Sequence, residues 1–214
     1  MAYSIDVFAD IVCPWCWVGE RHLARALERW AEEFPDEALP VVRFLPFELN
    51  PDMPAEGMDR AEYLDRKFGP GGASEMYARL ETVGGEAGID FRFADIARMP
   101  NTREAHVLLQ ALVAEPERQH ALFEAMARAF FTEGEDLSRR EGLLEVARRV
   151  GVSAEQGAAW LADSGLRSRT TAIELQAREI GVQGVPFFIF NRRLAVNGAQ
   201  PPEVLFDAMQ EARS

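Results

Sequence analysis

The 214-residue chain contains little cysteine, histidine or lysine, and each scarcity excludes a class of chemistry. Two cysteines are too few for a small disulfide-stapled scaffold. Lys67 is the only lysine and lies in a hydrophilic stretch, so we discount Schiff-base catalysis. No two of the histidines, His22, His106 and His120, have the short spacing of a zinc-ligand pair. We therefore expect no bound metal.

Long apolar runs and excess positive charge are also missing. The apolar runs, such as residues 185–190, are far shorter than the roughly 20 residues that span a bilayer. The chain has 35 acidic against 23 basic side chains, a formal net charge of −12 that repels phosphate groups. Asp6 and Asp10 precede the first basic side chain, unlike the start of a secretion signal. We expect a cytoplasmic protein with no nucleic-acid or membrane partner.

The two cysteines form one motif, Cys13-Pro14-Trp15-Cys16. A structural disulfide closing so small a loop stabilises a chain by only about 2 kcal/mol, against about 4.7 kcal/mol for a 100-residue loop. Attachment of c-type haem requires histidine after the second cysteine, where this chain has Trp17. A redox dithiol, a pair of metal ligands and two inert buried thiols remain, and the spacing favours the redox dithiol.

The flanking sequence places this motif between a strand and a helix. Residues 3–9 alternate polar and apolar side chains, which predicts a strand, and residues 15–30 predict a helix. Pro14 suits the first helical position, which makes Cys13 the N-cap. Free amide groups and the positive end of the helix stabilise a thiolate at that position.

Helical spacing assigns different roles to the two thiols. Cys16 shares an apolar face with Leu23, Leu27 and Trp30, so we expect Cys16 to be buried and Cys13 to be exposed. Cys13 is then the attacking thiol, and Cys16 resolves the mixed disulfide. The intervening Pro14 and Trp15 are the candidate residues that tune the redox potential. The side chain of Trp15 either offers an apolar surface to a substrate or packs inside the protein.

The rest of the chain predicts an α/β fold interrupted by a long helical block. Residues 41–47 predict a second strand, residues 48–57 a loop, and residues 187–196 a hairpin that turns at Asn191-Arg192. Ser138 and Ser153 each begin a capping-box pattern. The predicted helices cover residues 75–83, 102–114, 117–132, 138–150, 153–161, 168–180 and 202–212. We predict a discontinuous α/β domain of residues 1–55 and 165–214, and an inserted all-helical domain of residues 56–164.

The CPWC motif on a strand-to-helix turn, with Val185-Pro186 before a hairpin, resembles the thioredoxin fold. The inserted helical block resembles the DsbA-like family, and several motifs resemble its FrnE-like cytoplasmic branch. These motifs are Cys13-Pro14-Trp15-Cys16-Trp17, Asn101-Thr102-Arg103-Glu104-Ala105-His106, Gly184-Val185-Pro186 and Asn197-Gly198-Ala199-Gln200. Related groups are the hydroxychromene-carboxylate isomerases and the kappa-class glutathione transferases, which usually carry serine in place of the first cysteine.

The resemblance implies a nucleophilic role for Cys13 and a resolving role for Cys16. It matches Pro186 to a cis-proline opposite the dithiol, although a trans proline in an ordinary turn is the alternative. A cis bond would bring the backbone of Val185 beside Cys13, where it can pair with an extended substrate.

The resemblance also suggests four further substrate-binding residues, for which ordinary structural roles are the alternative. Asn101 and Thr102 begin a helix and so suit an N-cap, while the family pattern places this helix start over the dithiol. His106 is either a proton shuttle or a core or solvated histidine. Gln200 lies either on the rim of the site or in a turn before the last helix.

The leading functional hypothesis is a thiol–disulfide oxidoreductase or isomerase acting on protein or small-molecule disulfides. One alternative is a glutathione-dependent isomerase or transferase acting on a small aromatic substrate. Another is a non-enzymatic chaperone or redox sensor that uses the apolar helical block. We expect no cofactor other than glutathione as a co-substrate, and the helical block offers a face for a homodimer.

Overall fold

A four-stranded mixed sheet forms the centre of the protein in the computed structural model, which describes residues 3–213. Its strands are β1 (Ser4–Ala9), β2 (Val41–Pro46), β5 (Phe187–Phe190) and β6 (Leu194–Asn197), in the order β2-β1-β5-β6. Strand β1 runs parallel to β2 and antiparallel to β5. Helix α1 (Pro14–Glu33) makes the crossover between the parallel strands. The start of α1 therefore lies where β1 ends, in the middle of the sheet.

Buried side chains on one face of the sheet form part of the hydrophobic core. Ile5 and Val7 of β1 are buried, and they lie opposite Phe190 and Phe188 of β5. Because successive strand side chains point to opposite faces, these four lie on one face of the sheet. Helices α1 and α9 (Pro202–Glu211) pack against each other, and Leu205 and Phe206 of α9 join this core.

The segment between β2 and β5 is mostly helical, as predicted. It contains a short two-stranded sheet of β3 (Met58–Asp59) and β4 (Arg98–Met99), and a 3₁₀ turn at Phe93–Asp95. Its helices are α2 (Arg60–Phe68), α3 (Ser74–Glu86), α4 (Arg103–Ala111), α5 (Pro116–Phe131), α6 (Arg140–Arg149), α7 (Ala154–Ala162) and α8 (Ser164–Glu179). The expected α/β fold with a large helical insertion is confirmed, while the proposed domain boundaries stay a prediction.

Aromatic side chains join the helical segment to the sheet. Trp17 of α1 packs against Phe131 of α5, with ring centres 6.1 Å apart, and edge-on against Phe91 at 5.7 Å. One buried cluster includes residues of β1, α1, α4, α5 and α9. The helical segment and the sheet are thus packed around a shared core.

Several predicted element ends are wrong for local reasons. Helix α3 continues through Gly84 despite the low helix propensity of glycine, and the missing side chain leaves room for Phe91, whose Cδ2 lies 2.4 Å from the ideal Cβ position. Helix α6 begins at Arg140, and the Ser138 hydroxyl donates to Asp136 instead of capping the helix. Helix α8 begins at Ser164, earlier than expected, since Asp163 accepts from the backbone N–H of Leu166.

Other local predictions are confirmed. Ser153 caps α7 by accepting a hydrogen bond from the backbone N–H of Gln156. The hairpin turns at Asn191 and Arg192, which both have positive φ angles. No helix within residues 3–213 is both long enough and apolar enough to cross a membrane.

Candidate active site

Cys13 is the N-cap of α1, as the sequence predicts. Its backbone N–H donates to the carbonyl of Asp10 at 3.0 Å, and its own carbonyl accepts from the N–H of Cys16 at 3.0 Å. Pro14 occupies the first helical position, where no N–H is needed. The turn after β1 therefore places the CPWC motif at the N-terminal end of the helix, where backbone N–H groups lack helical partners.

Both thiols are free, and both are buried. Cys16 is 1% exposed, as expected, but the prediction of an exposed Cys13 is wrong, because Cys13 is only 5% exposed. The reason is the neighbouring loop: the Cys13 thiol donates to the carbonyl of Val185 at 3.5 Å. The helical periodicity of α1 does not predict this contact, because Val185 is far from Cys13 in the sequence.

The surroundings of Cys16 favour its protonated form. Burial raises the pKa of the Cys16 thiol well above its ordinary value, and the hydrogen bond and charge of Cys13 raise it further. The negative charge of Asp10 acts in the same direction, while a backbone hydrogen bond at Asp10 opposes it. Cys16 therefore needs to give up a proton before it can attack a disulfide.

The Val185–Pro186 loop lies directly against α1. The peptide bond between these residues is cis, and the carbonyl of Pro186 accepts from the N–H of Gly198 at 2.8 Å. Gly19 makes the close approach possible, because an ideal Cβ at this position would lie 2.9 Å from Cγ of Pro186. A glycine one turn along α1 thus allows the loop to reach the dithiol.

Access to Cys13 is through a cavity of about 250 Å³. Val12, Cys13, Pro14 and Trp15 line one side, and Gly184 and Val185 line another. Helices α2, α3 and α5 contribute Arg60, Tyr63, Lys67, Phe68, Met76, Tyr77, Phe130 and Phe131, and Leu49, Phe93, Ile96 and Met99 complete the described lining. The chain therefore presents the first thiol to a largely apolar chamber and keeps the second behind it.

Comparison with known proteins identifies this architecture. The model of the DSBA-like thioredoxin domain matches residues 4–210. The chain belongs to this family. Its DsbA-like fold is shared with a "probable DsbA oxidoreductase" from Streptomyces coelicolor, which is 30% identical with a TM-score of 0.87 and matches over 99% of this chain and 90% of that one.

Two other solved structures share the fold at lower sequence identity, and one further protein is similar in sequence. A 2-hydroxychromene-2-carboxylate isomerase is 16% identical, with a TM-score of 0.68 over 97% of this chain and 94% of that one. The cytosolic disulfide reductase DsbM from Pseudomonas aeruginosa, solved with glutathione, is 18% identical, with a TM-score of 0.63 over 98% and 95%. A Bacillus subtilis protein of uncharacterised function, YwbO, is 24% identical over 99% of this chain and 98% of its own length.

A buried polar cluster lies behind the dithiol of the DsbA-like fold. Nε2 of His106 is 3.5 Å from Oδ1 of Asp10, and these residues are 2% and 0% exposed. Neither of these two atoms has a hydrogen-bond partner, although the other Asp10 oxygen accepts from the backbone N–H of Leu49. Burial opposes protonation of His106, but Asp10, Glu48 and Glu174 together raise its pKa above the ordinary value. Within residues 3–213, no three His, Cys, Asp or Glu side chains are arranged to hold a metal ion.

The structure distributes the four other proposed binding residues around the DsbA-like site without placing them on the cavity wall. Thr102 and His106 are buried. Asn101 accepts from the N–H of Arg103 and donates to the carbonyl of Met53 at 2.7 Å, and so fixes the start of α4. The carbonyl of Gln200 is 2.9 Å from Nδ1 of His22. Their roles in substrate binding stay predictions.

Sequence reasoning missed the part of the cavity formed by α2. The signal was present in the four-residue spacing of Tyr63 and Lys67, which places both on one helical face. The stretch is hydrophilic overall, and α2 contains no buried residue. Its contribution to the cavity follows from tertiary packing that the sequence pattern does not specify.

Proposed function

We propose that the protein is a thiol–disulfide oxidoreductase in which Cys13 is the nucleophile and Cys16 the resolving thiol. The observation that carries this proposal is the unequal placement of the two thiols. Cys13 lines a cavity at a helix N-terminus, and Cys16 is enclosed behind it with a raised pKa. Such a pair favours attack by one defined sulfur.

The reaction proceeds by two exchanges. The Cys13 thiolate attacks one sulfur of a substrate disulfide, forming a Cys13–substrate disulfide and releasing the other half as a thiolate. Cys16 then loses its proton and attacks the Cys13 sulfur. This step forms the Cys13–Cys16 disulfide, and the second substrate thiolate leaves and takes up a proton. The substrate is reduced by two electrons and the dithiol is oxidised by two.

The backbone of Val185 is suited to orient the substrate. Its carbonyl already accepts from the Cys13 thiol at 3.5 Å, so a substrate that displaces this contact lies next to the attacking sulfur. We assign Pro186 the role of holding this loop against α1, where Gly19 leaves room for its ring. We assign Pro14 and Trp15, which lie between the thiols and line the cavity, the role of setting the potential.

Replacing each cysteine separately tests the assignment. Cys13→Ser should abolish reduction of a disulfide substrate, since a serine hydroxyl is not ionised at neutral pH. Cys16→Ser should retain the first exchange and accumulate a stable mixed disulfide at Cys13, detectable as an added mass on the intact protein. Full turnover by Cys13→Ser would contradict the proposal.

The glutathione-dependent isomerase or transferase remains the second candidate because the cavity is largely apolar and suits a small aromatic molecule. In that reaction glutathione supplies the thiolate as co-substrate, and Cys16 is dispensable. Cys16→Ser with unchanged turnover would favour this candidate. For the oxidoreductase we propose a cytoplasmic location, where cellular thiols keep disulfides reduced and can return the oxidised dithiol to its reduced form.

A further inference from the structure

The cavity over Cys13 has no acidic side chain in its described lining, although the whole chain carries 35. Apart from Arg60 and Lys67, the lining is mostly aromatic and aliphatic. Its volume of about 250 Å³ lies below the roughly 300–1,000 Å³ of sites for drug-sized ligands. These properties suit a small apolar molecule rather than a folded protein surface.

Two cations from α2 line this cavity without carboxylate partners. The guanidinium carbon of Arg60 lies 5.1 Å from the ring centre of Tyr77, and Nζ of Lys67 lies 2.6 Å from the hydroxyl of Tyr63. Lys67 also donates to Oδ1 of Asn50 at 3.3 Å. Among residues 3–213, neither cation forms an ion pair with Asp or Glu. The neighbouring Arg66 pairs with Glu62 and does not line the cavity.

The position of Lys67 in the last turn of α2 has a simpler structural explanation, which is stabilisation of the helix dipole. Arg66 in the same turn already places a positive charge near the helix end. The dipole alone therefore does not explain why the only lysine of the chain lies here. Arg60 lies in the first turn of α2, where a cation is unfavourable to the dipole. The feature shared by Arg60 and Lys67 is the cavity that they line.

One cavity therefore combines a sulfur nucleophile, an apolar wall and two cations without carboxylate partners, and a matching ligand has a disulfide, an apolar body and an anionic group. We propose that the site selects small disulfides with an apolar, aromatic body and a carboxylate group, and that Arg60 and Lys67 bind the carboxylate. This proposal rests on the oxidoreductase function proposed above, because it names the substrate class of the same dithiol. Arg60 is half-buried, which strengthens its interaction with a carboxylate, whereas Lys67 is exposed and contributes less.

The chemical step is the one already described, with a defined substrate. The Cys13 thiolate attacks an aryl disulfide and releases one aryl thiolate, and Cys16 releases the second as the Cys13–Cys16 bond forms. One disulfide and one dithiol become one protein disulfide and two aryl thiols, so no further oxidant or reductant is required for this turnover.

Two aryl disulfides that differ in charge test the selection. The reduced protein is mixed with 5,5′-dithiobis(2-nitrobenzoate), whose rings carry carboxylates, or with 4,4′-dithiodipyridine, which is neutral at pH 8. Stopped-flow absorbance gives the rate of the first exchange with each probe. Each rate is divided by the rate of dithiothreitol with the same probe, which removes the intrinsic reactivity of the disulfide.

Arg60→Met and Lys67→Met remove the charges while keeping a flexible apolar stem, and Arg66→Met is the matched control. We expect Arg60→Met to slow the carboxylated probe about tenfold, the lower end for a hydrogen bond to a charged group, and Lys67→Met about threefold, because Lys67 is exposed. The neutral probe should change less than about twofold. Arg66→Met removes the same charge from the same helix, so it reports any long-range electrostatic effect.

The outcomes separate this inference from the proposed function. If Arg66→Met slows the carboxylated probe as much as Lys67→Met does, or if neither cavity variant changes the ratio of the two rates, charge selection is refuted while the dithiol chemistry stands. If wild-type protein reduces neither probe, the oxidoreductase function itself fails. A higher normalised rate with oxidised glutathione than with the aryl probe would refute the apolar part of the proposed class.

Discussion

Cys13 and Cys16 carry the same functional group in different surroundings. The spacing of the motif and the apolar face of α1 predict the N-cap position of Cys13 and the burial of Cys16, and the structure confirms both. The low exposure of Cys13 was not predictable, because the covering residue Val185 is 172 positions away in sequence. The sequence identifies Pro186 as a candidate site residue, but its close contact with Gly19 depends on how α1 packs on the sheet.

At the residue scale, the buried cluster behind the dithiol makes stability depend on pH. His106 faces Asp10, Glu48 and Glu174, and its pKa is raised despite burial. Because the folded state holds this proton more tightly, its stabilising effect is complete below the ordinary histidine pKa of about 6.5 and is lost as pH rises through the raised value. We expect the free energy of unfolding to fall more in wild type than in His106→Gln between about pH 6 and 8.5.

Urea unfolding at several pH values measures this difference. His120→Gln is the matched control, since His120 pairs with buried Glu20 at 2.6 Å and also has a raised pKa, mainly through its hydrogen bond to that residue. Both histidine variants should show reduced pH dependence, but only His106→Gln should alter the pH profile of the second exchange, because Asp10 acts on Cys16. Parallel unfolding curves for wild type and His106→Gln would contradict the account.

At the element scale, α1 positions the site by its contact with the Pro186 loop. Alternation in β1, proline at the start of α1 and the turn of the β5–β6 hairpin were all visible in the sequence. The length of α3 was not, because the packing of Phe91 on Gly84 is not part of any helical pattern, and the start of α8 was misplaced although Asp163 is a usual N-cap residue. The two short strands β3 and β4 are also too brief to leave a pattern.

Gly19→Ala tests the contact between α1 and the loop. The added Cβ would lie 2.9 Å from Cγ of Pro186 and 3.2 Å from Cζ of Phe188, so the loop or the strand must shift. We expect a loss of about 1–3 kcal/mol in the free energy of unfolding, as for overpacking of a core, and slower disulfide exchange at Cys13.

Gly85→Ala provides the control for this substitution. Gly85 also lies within a helix, α3, but an ideal Cβ there meets nothing within 4 Å. The Gly85→Ala substitution should therefore raise the free energy of unfolding by about 0.5–1 kcal/mol, because alanine has a higher helix propensity than glycine. If Gly19→Ala behaved like Gly85→Ala in urea unfolding and in exchange rate, the loop would not depend on this contact.

At the scale of the whole molecule, the order of the central-sheet strands and of most helices was predictable, and the shape of the cavity was not. The CPWC motif, the distant Val185-Pro186 pair and the long helical segment between them together indicated a DsbA-like fold. The cavity needs α2, α3 and α5 brought over Cys13 by contacts such as the packing of Trp17 on Phe131. Those contacts join residues from distant parts of the chain, and no local pattern specifies them.

The most direct test of the central claim is a redox titration of the purified protein in glutathione buffers, followed by tryptophan fluorescence. Trp15 and Trp17 flank Cys16 and report on its state. The account predicts one reversible two-electron transition that disappears in both Cys13→Ser and Cys16→Ser, with a midpoint that sets the direction of the reaction. The account is contradicted if no transition is observed and both thiols of the unfolded protein can be alkylated in every buffer. Cys13 and Cys16 would then have stayed reduced and would not form a working dithiol.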